Sequence, residues 1–150
     1  PSLSFNKIST RSKVGVTDSV NIWMEDVNNL SACRFVISFN PKVINLVSVG
    51  NGKFILDNNF NQIIVPDFTN PNVISEANRT GKIEINSAVL MTLLTYPNNF
   101  ISGSGKLVNL RFVGIAKGTS PLEFSTIELY RADGTLISNG VSGTGIYKIE

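Results

Sequence analysis

The chain has no histidine and a single cysteine, Cys33, among its 150 residues. Without histidine there is no Ser-His-Asp triad and no Cys-His pair. Zinc sites built on His and Cys ligands are excluded for the same reason. One cysteine makes no internal disulfide, so packing alone must hold the fold. Cys33 falls on the apolar side of a strand pattern, which reads as a small buried residue rather than a reactive thiol. Charge is scarce as well: Asp, Glu, Lys and Arg make up 16% of the residues, with a formal net charge of +2. The basic residues are scattered singly from Lys7 to Lys148, without the clustering that nucleic-acid binding requires. Nothing reaches the ~20 apolar residues of a membrane-spanning helix. The longest apolar region, Ala88-Val89-Leu90-Met91-Thr92-Leu93-Leu94, is short and interrupted, so membrane insertion is not expected. Asp57, Asp67 and Asp133 lie near asparagines but lack the regular spacing of a calcium loop, and no metal site is assigned.

What remains is a chain that is 42% hydrophobic. That suffices for a full core at this length and is far from a disordered composition. Eighteen asparagines beside so few charges predict a neutral, hydrogen-bonding surface. No linker, charge block or repeat divides the sequence, so residues 1–150 read as one domain.

The dominant pattern has period two. Cys33, Phe35, Ile37 and Phe39 fall on one side of a strand, and Ala32, Arg34, Val36, Ser38 and Asn40 on the other. Asn40-Pro41 stops it, because proline lacks an amide proton and pushes the preceding residue out of helical geometry. Val43 to Val49 then reads as the next strand. In Val14 to Val27, the residues Val20, Ile22 and Met24 oppose Asn21, Trp23 and Glu25. Leu3–Ile8, Lys82–Asn86, Leu107–Ile115, Leu122–Tyr130 and Gly145–Ile149 read as further strands. Phe54–Leu56 and Gln62–Val65 are short strand candidates, and Pro66–Asn78 reads as irregular. Ser87–Leu94 either continues its strand or makes a helical turn before Tyr96-Pro97. Asn51-Gly52, Asp133-Gly134 and Asn139-Gly140 are turn signals. About nine strands at a spacing of roughly 8–12 residues predict an all-β sandwich or jelly roll.

The apolar-aromatic strand followed by Asn40-Pro41-Lys42-Val43-Ile44-Asn45-Leu46 resembles the third and fourth strands of cohesin modules, the receptors on bacterial scaffold proteins for dockerin-bearing enzymes. Gly15-Val16-Thr17-Asp18-Ser19-Val20-Asn21-Ile22 is similar to the family's second strand, and Asn28-Asn29-Leu30 to its approach to the third. Gly103-Ser104-Gly105-Lys106-Leu107-Val108-Asn109-Leu110-Arg111-Phe112 resembles a later strand motif, and a Gly-Thr-Ser turn, Leu122-Glu123-Phe124 and an Asp-Gly turn follow in family order. The resemblance implies a nine-stranded jelly-roll β-sandwich with one task. That task is non-catalytic docking of a dockerin, a small calcium-loaded helical module, to assemble secreted polysaccharide-degrading enzymes in a cellulosome. It further implies an extracellular or cell-surface setting within a larger scaffold protein. No cofactor is expected on this chain, and calcium is expected on the dockerin.

In cohesins the docking face is built by the eighth, third, sixth and fifth strands. Carried over, the third strand offers Ala32, Arg34, Val36 and Ser38, and the sixth offers Lys82, Glu84, Asn86 and Ala88. The eighth strand and its turn offer Glu128, Tyr130 and Leu136, and the fifth offers Ile64. Many cohesins carry Asn and Asp at the positions of Ala32 and Arg34, where they accept hydrogen bonds from dockerin hydroxyls. Arginine only donates. The departure therefore implies a module that rejects dockerins relying on that acceptor and prefers an acidic or carbonyl-rich partner.

Other readings compete. Ordinary solvent exposure accounts for polar residues on any sandwich strand. A carbohydrate-binding module would use Trp23, flanked by Asn21 and Glu25, with Tyr96, Tyr130 and Tyr147 as companions. A structural spacer would share the fold and lack a partner. An enzyme would need two carboxylates across a cleft. Glu25 and Asp26 point to opposite sides of their strand, and Glu84 and Glu128, even on one face, would sit on a flat sheet.

Overall fold

A computed structural model describes residues 1–90, 98–138 and 141–150 of the chain. Among them, twelve strands form two facing sheets. The first sheet holds β1 (Ser2–Phe5), β3 (Thr17–Leu30), β5 (Ile44–Asn51), β8 (Ile101–Gly114) and β11 (Val141–Ser142), in the order β11-β1-β3-β8-β5. The second holds β2 (Ser9–Ser12), β4 (Ala32–Ser38), β6 (Gln62–Val65), β7 (Lys82–Val89), β9 (Gly118–Tyr130), β10 (Leu136–Ser138) and β12 (Gly145–Ile149). Its order is β2-β12-β9-β4-β7-β6, with β10 beside β9. Neighbours are antiparallel except for β1–β11 and β2–β12. This is the expected all-β jelly-roll sandwich. The strands read from the sequence correspond to β1, β3 to β9 and β12, and the three additions are only two to four residues long.

Alternation drives the layering. Along β4 the residues switch strictly between half-buried and buried, and along β3 Val20, Ile22 and Met24 are fully buried. The two inner faces meet in one apolar core, where Phe112 stands edge-on to Phe39 (centroids 5.4 Å apart) and to Tyr147 (6.0 Å). Cys33 lies in that core. Burial pushes its thiol up to about 12, which makes it inert at neutral pH. Long β3 is bent by register shifts near Asp26 and Asn29, both in the left-handed conformation that Asp and Asn tolerate. The amides freed there are not orphaned: Asp26 N donates to Ser104 Oγ and Asn29 N to Ser102 Oγ, each at 3.0 Å.

Two segments differ from their sequence reading. Phe54–Asp57 is one helical turn, α1, rather than a strand. It buries Phe54 and Ile55 against β8, and Gly105 makes room: a Cβ there would stand 2.8 Å from the Phe54 ring. Within Pro66–Asn78, read as irregular, helix α2 (Pro71–Thr80) begins. Asn70 caps it by accepting from Asn72 N at 3.0 Å, Pro71 opens the first turn, and Gly81 closes it at φ +71°. Asn78 ties α2 to the opposite sheet, accepting from Leu46 N at 2.6 Å and donating to Leu46 O at 3.0 Å. The helix thus bridges β5 of the first sheet and β7 of the second. β7 settles Ser87–Val89 as strand. The remainder of that region from residue 91, Tyr96 and the Asn139-Gly140 turn lie outside the described residues.

Candidate functional site

The outer face of the second sheet gathers most of the residues singled out above. Cross-strand register sets them in rows. Ala32 stands between Ala88 on β7 and Tyr130 on β9, and Leu136 lies beyond Tyr130. Arg34 stands between Asn86 and Glu128, Val36 between Glu84 and Thr126, and Ser38 between Lys82 and Glu123. Directly opposed residues share a face, so Ala32, Arg34, Val36, Ser38, Lys82, Glu84, Asn86, Ala88, Glu128 and Tyr130 all project from one surface, with Leu136 at its rim.

Ile64 does not. It pairs with Ser87, which is buried, and packs against the core. Its neighbours Ile63 and Val65 pair with Ala88 and Asn86, face outward, and are 39% and 53% exposed. The correction has a simple cause. Ile63-Ile64-Val65 is apolar throughout, so the stretch carries no parity signal, and only pairing with β7 sets which side chain faces out.

The face has a charged centre. Arg34 Nε donates to Glu84 Oε1 at 2.6 Å, and Arg34 Nη1 lies 3.5 Å from Glu128 Oε1. Tyr130 OH donates to Glu128 Oε2 at 2.5 Å. The hydrogen bond to Glu84, then the charges of Glu84 and Glu128, hold the Arg34 guanidinium firmly protonated. This narrows the expectation built on Arg34 alone. The arginine is engaged by its own chain, and the acceptors absent from β4 are supplied by the neighbouring strands, on Glu84 and Glu128. The same pair, with a guanidinium lodged between them on an open sheet, is not arranged as an acid and base across a cleft.

The bond to Glu128, then partial burial and the charge of Glu128, hold the Tyr130 phenol above its ordinary 10.0. The stability that a raised phenol pKa contributes is fully present below the unfolded value and is lost as pH rises through the folded one, so the loss is confined to alkaline pH. Glu128→Gln should therefore let Tyr130 ionise at lower pH, as read by NMR of its ring carbons. An unchanged titration would contradict the hydrogen bond.

The face is not flat at its β6 side. A shallow hollow of about 340 Å³ lies over Ala32, Ala88 and Ile63. A larger groove of about 850 Å³ lies between α2 and the residues Val36, Glu84 and Lys82, and its lining includes Val65, Pro66 and Val73 beside the buried Phe68, Ala77 and Ile83. Both hollows are bordered by Val65 and Asn86, so they adjoin each other along the β6 side of the face. The α2 wall was not legible as part of a site in the sequence, where its segment read as irregular.

Trp23 lies elsewhere. It faces outward from the first sheet, between Ser4 and Lys106, and is 36% exposed. Tyr147 is fully buried in the core and Tyr130 belongs to the other face. The aromatic set for a sugar-binding platform is therefore not assembled. Among the described residues no group of three or more His, Cys, Asp or Glu side chains comes together.

A family model, Cohesin domain, matches residues 2–142. The chain belongs to the cohesin family. Solved cohesins share its fold at low sequence identity. A non-cellulosomal cohesin from the hyperthermophilic archaeon Archaeoglobus fulgidus is 17% identical with a TM-score of 0.70, covering 99% of this chain and 90% of that one. A type II cohesin domain from the cellulosome of Acetivibrio cellulolyticus is 16% identical with a TM-score of 0.73, covering 97% and 94%. A type I cohesin–dockerin complex from Clostridium thermocellum gives 16%, 0.72, 99% and 94%. No curated protein matches this cohesin in sequence.

Proposed function

We propose that this cohesin is a non-catalytic docking module that binds a dockerin on the outer face of its second sheet. The observation that carries the reading is the shared surface: ten side chains from β4, β7 and β9 project from it together, with a small apolar area around Ala32, Val36 and Ala88 beside the Arg34–Glu84–Glu128 cluster. Such a surface suits a helical partner with mixed apolar and polar side chains. Strands locked into a seven-stranded sheet lose little conformational entropy on binding, which favours tight association. The module acts outside the cell, within a larger scaffold or cell-surface protein that assembles polysaccharide-degrading enzymes. Calcium rides on the partner.

The test uses recombinant dockerins encoded by the genome that carries this chain, each loaded with calcium and titrated against the cohesin by calorimetry. At least one should bind with a Kd at or below the micromolar range typical of specific complexes. Failure of the whole panel would contradict the reading. Chelation separates the roles of the two modules: EDTA should abolish binding while leaving the melting temperature of the isolated cohesin unchanged. A marked fall in that melting temperature would place a structural calcium on this chain instead.

A further inference from the structure

The geometry points to the groove between α2 and the sheet as a second contact region of the docking face. It would take an apolar side chain of the partner helix with an acidic residue one helical turn away. This rests on the docking reading and extends it to residues outside the family-derived face.

The groove adjoins the docking face. It shares Val36, Glu84, Lys82 and Asn86 with the face, and it adjoins the hollow over Ala32 and Ala88, with Val65 and Asn86 bordering both. A helix lying across β4 and β7 would therefore have a depression beneath its β6 side. The groove also has an apolar lining: Val65, Pro66 and Val73 are apolar and reached by solvent, and Val65 stays 53% exposed. An apolar side chain seated there would be removed from water on several sides at once.

Charge also marks the groove. Three charged residues line the groove: Glu76, Lys82 and Glu84. Glu84 is paired with Arg34, and Glu76 is paired with Arg79, whose Nε donates to it at 3.0 Å. Lys82 makes no ion pair among the described residues. Lys82 is thus the lining charge with no partner at ion-pair distance among the described residues, a local cation that suits a carboxylate on the partner. On a helix, residues three or four apart lie on one side, so a single turn presents both an apolar anchor and its acidic neighbour.

The test uses the dockerin that binds best in the panel above. Val65→Asp and Lys82→Glu alter exposed positions and should leave the fold intact. Each should weaken binding about tenfold or more, with the Lys82 effect growing at low salt. Exchanging the dockerin's acidic residue for lysine should restore affinity to Lys82→Glu. Ala32→Arg, outside the groove, is the control for the face itself. If Ala32→Arg abolishes binding while Val65→Asp and Lys82→Glu stay within about twofold of wild type, the groove is not used and the docking reading stands. If none of the three changes affinity, the docking reading falls as well. If Val65→Asp instead dissolves a dimer of this chain, measured by sedimentation, the occupant is a second copy and the proposal is overturned.

Discussion

Val36→Asp should reduce dockerin affinity by about two orders of magnitude while the cohesin remains folded. Val36 lies mid-face, between Glu84 and Thr126, and also borders the α2 groove. A docking helix would cover it. The new carboxylate would then lose its water with no donor assigned to it, because Arg34 is already held by Glu84 and Glu128. It would also stand across from Glu84, so like charges add to the desolvation cost. In the free module the carboxylate keeps its water, because the position is only half-buried, and solvent screens its repulsion with Glu84. Loss of β-branching there costs no more than about 1 kcal/mol. The expected signature is a large change in Kd by calorimetry with a small change in melting temperature. Full affinity in a folded variant would remove Val36 from the interface.

Gly81→Ala should act in the opposite way, on stability first. Gly81 ends α2 at φ +71° and leads into β7. Its carbonyl accepts from Phe39 N at 2.9 Å, which ties the end of the helix to the end of β4. An added Cβ would meet Phe39 O at 2.6 Å and Pro41 Cδ at 2.9 Å. Neither neighbour is the end of a flexible side chain, so the backbone must move. The left-handed conformation costs an alanine about 1–2 kcal/mol, and the overpacking adds a similar amount, for a total of about 3 kcal/mol. Urea unfolding should show that loss as a lower midpoint at unchanged slope. A change below about 0.5 kcal/mol would contradict the close approach described here.

The contrast between these sites shows what a single strand reveals. The alternation of Cys33, Phe35, Ile37 and Phe39 against Ala32, Arg34, Val36 and Ser38 is local, so the inner and outer sides of β4 were legible directly. The same held for Lys82, Glu84 and Asn86 against Ile83 and Ile85 on β7. The parity of β6 was not legible, because three apolar residues in succession fit either face, and Ile64 was assigned to the wrong one. α2 did carry signals: Asn70-Pro71 at its start, Gly81 at its end, and Val73, Ile74 and Ala77 at helical spacing. Its Asn- and Ser-rich composition favours a loop reading. Helicity there depends on anchors distant in sequence, chiefly Asn78 bonding Leu46 across the sandwich. The pairing of Arg34 with Glu84 and Glu128 joins residues 50 and 94 positions away, so reading Arg34 alone misjudged what it offers a partner.

The central claim is that the partner lies on the second sheet and not on the first. Amide NMR of the labelled cohesin, titrated with its calcium-loaded dockerin, tests this residue by residue. The account predicts shifts concentrated at Ala32, Arg34, Val36, Glu84, Asn86 and Glu128, with Trp23, Lys106 and Asn109 unmoved. Shifts centred on Trp23 and its neighbours, with β4 and β7 silent, would contradict it.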